Sequence, residues 1–250
     1  MNKTPYILTI AGFDPSSGAG LTADIKTFET LNCYGFSVCT ANTVQNDICL
    51  IACHWTPIDI IKNQIEILFD RFKIDFVKIG IVENWDLLLI IVKTLMELNP
   101  AVKIIIDPVL KSSSEFNFHT GNTDKLSEAL SHIYLITPNY NEIENLYTDK
   151  DRQETIAFIS SKTHLLLKGG HRKEKIGRDI LYFNSNKTVV FDPKQINCTD
   201  KHGSGCVLSS AITSYLALGF SLAASCEKGK YYTESFLSST TSLLGFHSKK

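Results

Sequence analysis

The sequence predicts an α/β sandwich: a mostly parallel, buried β-sheet with helices on both faces. Three observations predict it. Short apolar runs such as YILTIAG and KIIID alternate with longer amphipathic runs through most of the chain. Almost every apolar run stops at Gly, Asp, Asn, Lys or Ser. The 250 residues, 44% hydrophobic and 20% charged, suffice to bury one large core.

The elements follow in order. YILTIAG (Tyr6–Gly12) is an apolar run of strand length, followed by the loop FDPSSGAG. LTADIKTFETLN has helical spacing, and FSVCTANT (Phe36–Thr43) is a second strand. From Pro57 to Arg71 the residues Ile60, Ile61, Ile65, Leu68 and Phe69 recur at helical intervals. FVKIGIV (Phe76–Val82) is predicted as a buried strand and WDLLLIIVKTLMELN as a helix. KIIIDPVL is a strand with Pro108 just after its centre. IYLITPN (Ile133–Asn139) is a strand that ends in Pro-Asn, and NEIENLY opens a helix. The most polar stretch, Thr148 to Gln153, joins two helices. HLLLKGG (His164–Gly170) is a strand ended by two glycines, and DILYFNSNKTVVFDP is a hairpin turning on NSNK. A Gly-Ser-Gly turn opens the next helix, and a last helix is predicted from Leu222 to Leu244. No repeat, low-complexity segment or linker interrupts this order, so residues 1–250 read as one domain.

A net charge of −1 gives no bulk attraction to nucleic acid or to an anionic membrane, so neither is expected as a partner. The apolar run near the N-terminus is too short to span a bilayer and lacks a small-residue cleavage site, which predicts a cytoplasmic protein. The seven cysteines include no CxxC pair. Cys49, Cys53 and His54 lie close together, but no second Cys/His cluster completes a tetrahedral zinc site. The cysteines are expected to be mostly small buried residues.

In open α/β sheets, ligands bind beyond the carboxyl ends of the strands. There the chain carries AGFDPSSGAG, TVQND, KIGIVE, DPVLKSSS, TPNYNE, LKGGH and HGSGC. In the last, Gly203, Ser204 and Gly205 run into a helical pattern with Cys206 at the junction. A helix N-terminus reached through such a turn offers free N–H groups and a positive dipole end to an anion. The same position predicts a thiol that ionises more readily than a free one. Lys168 ends a strand from which its ammonium reaches a phosphate in the same crevice. Asn139 and Glu142, three residues apart, share a helix face and offer hard oxygen ligands to Mg²⁺, and Asp107 is a further candidate. Anion hole, lysine and metal-holding acid are the parts of a phosphoryl-transfer site that uses ATP and Mg²⁺. Neither GxxxxGK(S/T) nor a GxGxxG following a strand is present, which excludes the P-loop and Rossmann readings. Each residue also has a plainer role. Glu142 serves equally as a first-turn acid, Asn139 as an N-cap, Lys168 as a solvated strand end, and Asp107 as a turn former before Pro108.

These pieces together resemble the hydroxymethylpyrimidine/phosphomethylpyrimidine kinases of thiamin biosynthesis, in the ribokinase-like superfamily. The resemblance runs from about Tyr6 to Gly219, through LTIAGFDPSSGAGLTADIKTFETLNCYGFSV, VQND, VKIGIV, IIIDPVL, LITPNYNEIENL, LLLKGGH, DILYF and HGSGCVLSSAI. It implies a three-layer ribokinase-like sandwich. It also implies that a pyrimidine lies under the loop that Gly12 begins, with Asp24, Gln45, Ile81 and Val109 around it. ATP would lie over the C-terminal half, with Lys168 near its phosphates, Asn139 and Ser204 beside it, and Glu142 and Asp107 serving Mg²⁺. Gly203, Gly205 and Cys206 would form the catalytic turn, with Cys206 either assisting deprotonation of the substrate hydroxyl or shaping the anion hole. A homodimer is compatible with the resemblance.

Several positions depart from the family pattern. Ser17 replaces a commoner glycine, Val207 replaces a threonine, KSSSEFNF replaces KSGxxL, and LLGFHSKK stands without a Gly-Pro tail. Ser17 is a mild change unless its backbone requires a positive φ. Two alternatives stay open at this stage: a vitamin B6 kinase acting on pyridoxal or pyridoxine, and a non-catalytic pyrimidine-binding protein.

Overall fold

The computed structural model describes residues 4–110, 123–170, 175–195 and 198–248. In chain order its elements are β1 (Tyr6–Phe13), α1 (Gly20–Thr30), β2 (Tyr34–Gln45), β3 (Leu50–Trp55), α2 (Ile58–Arg71), β4 (Phe76–Ile79), α3 (Trp85–Leu98) and β5 (Lys103–Ile106). There follow α4 (Thr123–Ala129), β6 (Leu135–Ile136), α5 (Tyr140–Leu146), α6 (Arg152–Ser160), β7 (His164–Leu167), β8 (Asp179–Tyr182), β9 (Thr188–Phe191), α7 (Ser204–Ala217) and α8 (Leu222–Leu237). The strands form one sheet in the order β3-β2-β1-β4-β5-β6-β7-β8-β9. β2, β1 and β4 to β7 run parallel, and antiparallel pairs join β2 to β3, β7 to β8 and β8 to β9.

Period-two alternation drives the layering, because successive side chains leave opposite faces of a strand. Leu8, Ile10, Ile104, Ile106, Leu165 and Leu167 pack on one face against Ile61, Ile65, Leu88, Leu95, Ile143 and Ile159 of α2, α3, α5 and α6. The residues between them, Ile105 and Leu166, join Leu208, Ile212 and Cys226 of α7 and α8 on the other face. Ile7 joins Phe28 of α1 there. Each fully buried aliphatic side chain stabilises the fold by about 1.5–3 kcal/mol. Both faces are therefore covered, as the unbroken apolar runs predict, and the expected three-layer α/β sandwich is the observed fold.

Some boundaries differ from expectation. The strands over Phe76–Val82 and Lys103–Leu110 end at Ile79 and Ile106. Pro108 has no N–H to continue a ladder, and the chains part there to open the crevice. The last helix ends at Leu237, not Leu244. A run of hydroxyl side chains follows, and Ser238 and Ser239 turn back to Ser235 and Phe236 carbonyls, competing with the helical backbone. β3 and α4 were not individually predicted, and α6 was expected only as the second of the two helices that Thr148–Gln153 joins, beginning at Arg152 rather than after Gln153. The KSSSEFNF segment and His171 of LKGGH lie outside the described residues.

The chain leaves β1 toward β2 and β3 on one side and returns to β4 on the other, so the order reverses between β1 and β4. Beyond the carboxyl ends at such a switch point, an open α/β sheet leaves a crevice. Among the described residues no helix is long and apolar enough to cross a membrane.

Candidate active site

The anion end of the crevice is built where α7 begins. Gly203 caps the helix with φ +76°, a conformation that favours glycine. A Cβ there would lie 2.1 Å from the Gly18 carbonyl oxygen and 2.7 Å from Ala19 Cα. The turn before α7 thus packs directly on the loop after β1. That loop is folded around the buried Asp14, whose carboxylate accepts from the backbone N–H groups of Ser16, Gly18 and Ala19 at 2.8–3.1 Å. His202 Nε2 meets the same carboxylate at 2.9 Å. Burial opposes the Asp14 charge, but His202, Ser16 and Ala19 outweigh it and hold its pKa down to about 2. Ser17 lies in the same loop at φ +58°, so its replacement of glycine does place a side chain in the left-handed region.

Three of the expected site residues meet in front of Gly205. Lys168 Nζ donates to Asp107 Oδ1 at 2.7 Å and lies 3.7 Å from Glu142 Oε2. A Cβ on Gly205 would sit 3.3 Å from Asp107 Oδ2 and 3.4 Å from Lys168 Nζ, so any larger residue would press the helix start against this pair. Burial works against the Lys168 ammonium, but Asp107 and Glu142 more than offset it and hold its pKa above the usual lysine range. Burial pushes Glu142 up to about 7, with Lys168 pulling it down and Asp107 adding to the rise. Among the described residues Asp107 Oδ2 is buried without a hydrogen-bond partner, while Oδ1 also meets Thr137 Oγ1 at 3.3 Å. Lys168 itself is held by its own N–H to Pro138 O and by the next N–H, Gly169 to Asp179 Oδ1 at 2.7 Å. Asp179 is braced from behind by Lys230 of α8 at 3.1 Å.

The plainer roles of Asn139 and Glu142 are also realised. Asn139 Oδ1 accepts from the N–H groups of Asn141 and Glu142, and Glu142 Oε2 accepts from Asn139 N–H at 2.7 Å. This capping box occupies the Asn139 oxygen and leaves Glu142 still facing Lys168.

Cys206 corrects an expectation. Burial pushes its thiol up to about 11, with Lys78 pulling it down and Asp24 and Asp107 pushing it up. The residue itself is half-buried, and in the ligand-free protein the direction is upward, against the pull of the helix start. Loss of water around the sulfur outweighs the neighbouring positive charge.

At the other end of the crevice, Gly12 stands one residue before the end of β1, under Ile81: a Cβ at Gly12 would lie 2.4 Å from Ile81 Cδ1. Val109 stands just beyond β5, its N–H turned to the Asp107 carbonyl at 2.9 Å. Gln45 ends β2 four residues past Ala41, the partner of Gly12. At strand spacing this carries it about 13 Å beyond Gly12 and about 10 Å beyond Phe13, the end of β1, on the β2–β3 hairpin. Asp24 is placed otherwise than expected. It is fully buried, and its two oxygens accept from Lys78 Nζ at 2.8 and 3.0 Å, from Thr9 Oγ1 at 2.6 Å and from Ser210 Oγ at 2.6 Å. A ligand would have to displace one of these to reach it, so Asp24 ties α1 to β1, β4 and α7 from beneath the site.

Sequence reasoning passed over Lys78, Asp14 and His202. A lysine in the middle of the apolar run FVKIGIV is a usable signal, because a charge inside a doubly covered strand needs a partner. Nothing local to Asp14 or His202 shows that they meet.

A family profile described as phosphomethylpyrimidine kinase matches residues 14–249. The chain is 36% identical over 215 residues to a hydroxymethylpyrimidine/phosphomethylpyrimidine kinase of Aquifex aeolicus, covering 82% of this chain and 83% of the relative. It spans about half the length of several other curated relatives, 44–48% of each. A solved phosphomethylpyrimidine kinase from Clostridium difficile matches with a TM-score of 0.76 at 34% identity, over 92% of this chain and 98% of that one. A pyridoxal kinase from Staphylococcus aureus in complex with ADP shares the fold, with a TM-score of 0.84 at 24% identity over 98% of this chain and 92% of that one.

Proposed function

The chain belongs to the phosphomethylpyrimidine kinase family, and on that premise we propose that it transfers the γ-phosphoryl group of ATP to the hydroxymethyl oxygen of 4-amino-5-hydroxymethyl-2-methylpyrimidine. A second transfer to the resulting monophosphate follows, in thiamin biosynthesis and in the cytoplasm. The proposal takes residues 1–250 as one ribokinase-like domain. The observation that carries it is the Lys168–Asp107 pair lying against Gly205 at the start of α7. A cation, a helix N-terminus and a carboxylate oxygen without a protein partner converge where a transferring phosphoryl group would need them.

The pyrimidine lies between the ends of β1 and β4. Gly12, with no side chain, lets Ile81 close down on the end of β1, Ile81 and Val109 form apolar walls, and Gln45 offers a donor and an acceptor to the aminopyrimidine edge. The hydroxymethyl group then points toward Gly203, Ser204, Gly205 and Cys206, whose N–H groups receive the phosphoryl oxygens. Lys168 holds the β- and γ-phosphates, and Asn139 serves by fixing the strand end from which Lys168 projects.

The acids fit a magnesium ion. Asp107 Oδ2 is a buried acceptor without a partner, and Glu142 is a second hard oxygen donor beside it. Mg²⁺ keeps several waters and takes its remaining ligands from phosphates, so two carboxylates suffice. When bound it neutralises charge on the β- and γ-phosphates.

Cys206 shapes the turn as a protonated thiol. A loose phosphoryl-transfer transition state demands little proton removal early, so positioning and charge stabilisation carry the rate. The test is product analysis after incubation with the pyrimidine and MgATP, with pyridoxal in a parallel arm. Mono- and diphosphate products support the proposal. A larger kcat/KM for pyridoxal would make the protein a vitamin B6 kinase, and ATP consumption unaffected by either ring would refute the reading.

A further inference from the structure

Beyond α8 the chain turns back over the anion end of the crevice. The Thr240 carbonyl accepts from Lys201 Nζ at 2.8 Å, and the Leu243 carbonyl accepts from His202 N–H at 2.9 Å. These are the two residues immediately before Gly203. Leu244 closes on the other glycine loop: a Cβ on Gly18 would lie 2.8 Å from Leu244 Cδ2. The segment is folded on itself, with Phe246 N–H donating to Ser239 Oγ at 2.8 Å and Thr240 Oγ1 donating to the Leu244 carbonyl at 2.7 Å.

Its far end is seated in the protein. His247 Nδ1 faces Tyr232 Oη at 3.0 Å and Thr27 Oγ1 at 3.4 Å, so α8 and α1 both hold it. The imidazole packs 4.9 Å from the Phe236 ring. Gly245 fits under the same ring, where a Cβ would come within 2.5 Å of it. The turn that this segment grips has two glycines among its three residues and little side chain of its own to hold it in place.

We propose that residues 239–247 form a clamp that holds the Gly203–Cys206 turn in its working position, with His247 as the positioning residue that seats the clamp. For its catalytic consequence the inference rests on the kinase reading; for its structural part it does not. The clamp orders the backbone N–H groups that meet the phosphoryl group, so loosening it costs rate more than pyrimidine binding.

The test uses the full chain with His247→Leu, Gly245→Val and His247→Asn, each assayed well below the midpoint of its thermal melt. Two quantities are read: amide hydrogen exchange in the peptide containing His202, and the split between kcat and KM. His247→Leu and Gly245→Val are expected to speed exchange about tenfold, as for a local opening. They should lower kcat about five- to twentyfold with pyrimidine KM within about twofold. His247→Asn places an amide oxygen near the position of Nδ1 and is expected to restore both. Unchanged exchange, or faster exchange with wild-type kcat, overturns the clamp, and failure of asparagine to rescue overturns the hydrogen-bonded seat. If wild-type protein phosphorylates no pyrimidine, the kinase reading fails, and the exchange measurement still decides whether the segment holds the turn.

Discussion

Lys78→Met tests the interior on which the site stands. Lys78 and Asp24 are both fully buried, and the ammonium lies 2.8 and 3.0 Å from the two carboxylate oxygens. Burial alone would pull the lysine pKa down, but Asp24 more than offsets it, so the Lys78 ammonium stays charged in the folded state. Methionine keeps most of the side-chain volume and removes the charge. The Asp24 carboxylate is then left in a site that water does not reach, with only the Thr9 and Ser210 hydroxyls as donors. Breaking one side of a buried pair costs about 3–5 kcal/mol, out of a total stability of about 5–15 kcal/mol. For a chain of this size 1 kcal/mol is about 2–4 °C of Tm, so the melting point should fall by roughly 6–20 °C. Adding Asp24→Asn removes the stranded charge and keeps an oxygen for the two hydroxyls, so the double variant should recover more than half of the loss. Urea and thermal unfolding followed by circular dichroism read both effects. A single variant within about 1 kcal/mol of wild type, or a double variant as unstable as the single one, would refute the account of a dry, mutually dependent pair.

Three further outcomes are expected. Ser17→Gly should stabilise the protein by about 0.5–1 kcal/mol in urea unfolding, because φ +58° is relieved of its Cβ; equal or lower stability argues against strain there. Cys206→Ala should keep kcat within about tenfold of wild type, since a thiol pushed up to about 11 is protonated at neutral pH; a loss of about 10²–10⁴ would restore it as the general base. Glu142, raised to about 7, should let protons compete with Mg²⁺, so the Mg²⁺ requirement rises as pH falls from 8 to 6 and Glu142→Gln removes that dependence. The same raised pKa means that ionising Glu142 weakens the ligand-free fold, so that part of stability is complete below its unfolded pKa and lost as pH rises through about 7. A Mg²⁺ requirement independent of pH in wild type would remove Glu142 from the metal.

The layered architecture was legible because its causes are local. Ile7 against Leu8 and Ile10, and Ile105 against Ile104 and Ile106, show two buried faces within a few residues of chain. Glycine, proline and aspartate at the strand ends marked the crevice edge, since each restricts or frees the backbone on its own. The same locality misled at the last helix, where apolar residues at Leu243 and Leu244 suggested continuation and the hydroxyl run between stopped it. The convergence of Lys168, Asp107, Glu142 and Gly205 was anticipated as a shared edge, though not as a paired cluster.

Charge states and partnerships required the folded chain. Asp24 meets Lys78 across 54 positions and Ser210 across 186, and Asp14 meets His202 across 188. No window of sequence contains such a pair, and only the strand order together with the packing of α1 and α7 on the sheet brings them together. Cys206 shows the same limit in its protonation. The dipole at a helix start can be read from the glycines before it, whereas the desolvation that raises the thiol depends on what the rest of the fold packs around the sulfur. Backbone preference and apolar period act over a few residues and are written along the chain. Burial and ion pairing act through space, and their outcome exists only once distant segments have been brought into contact.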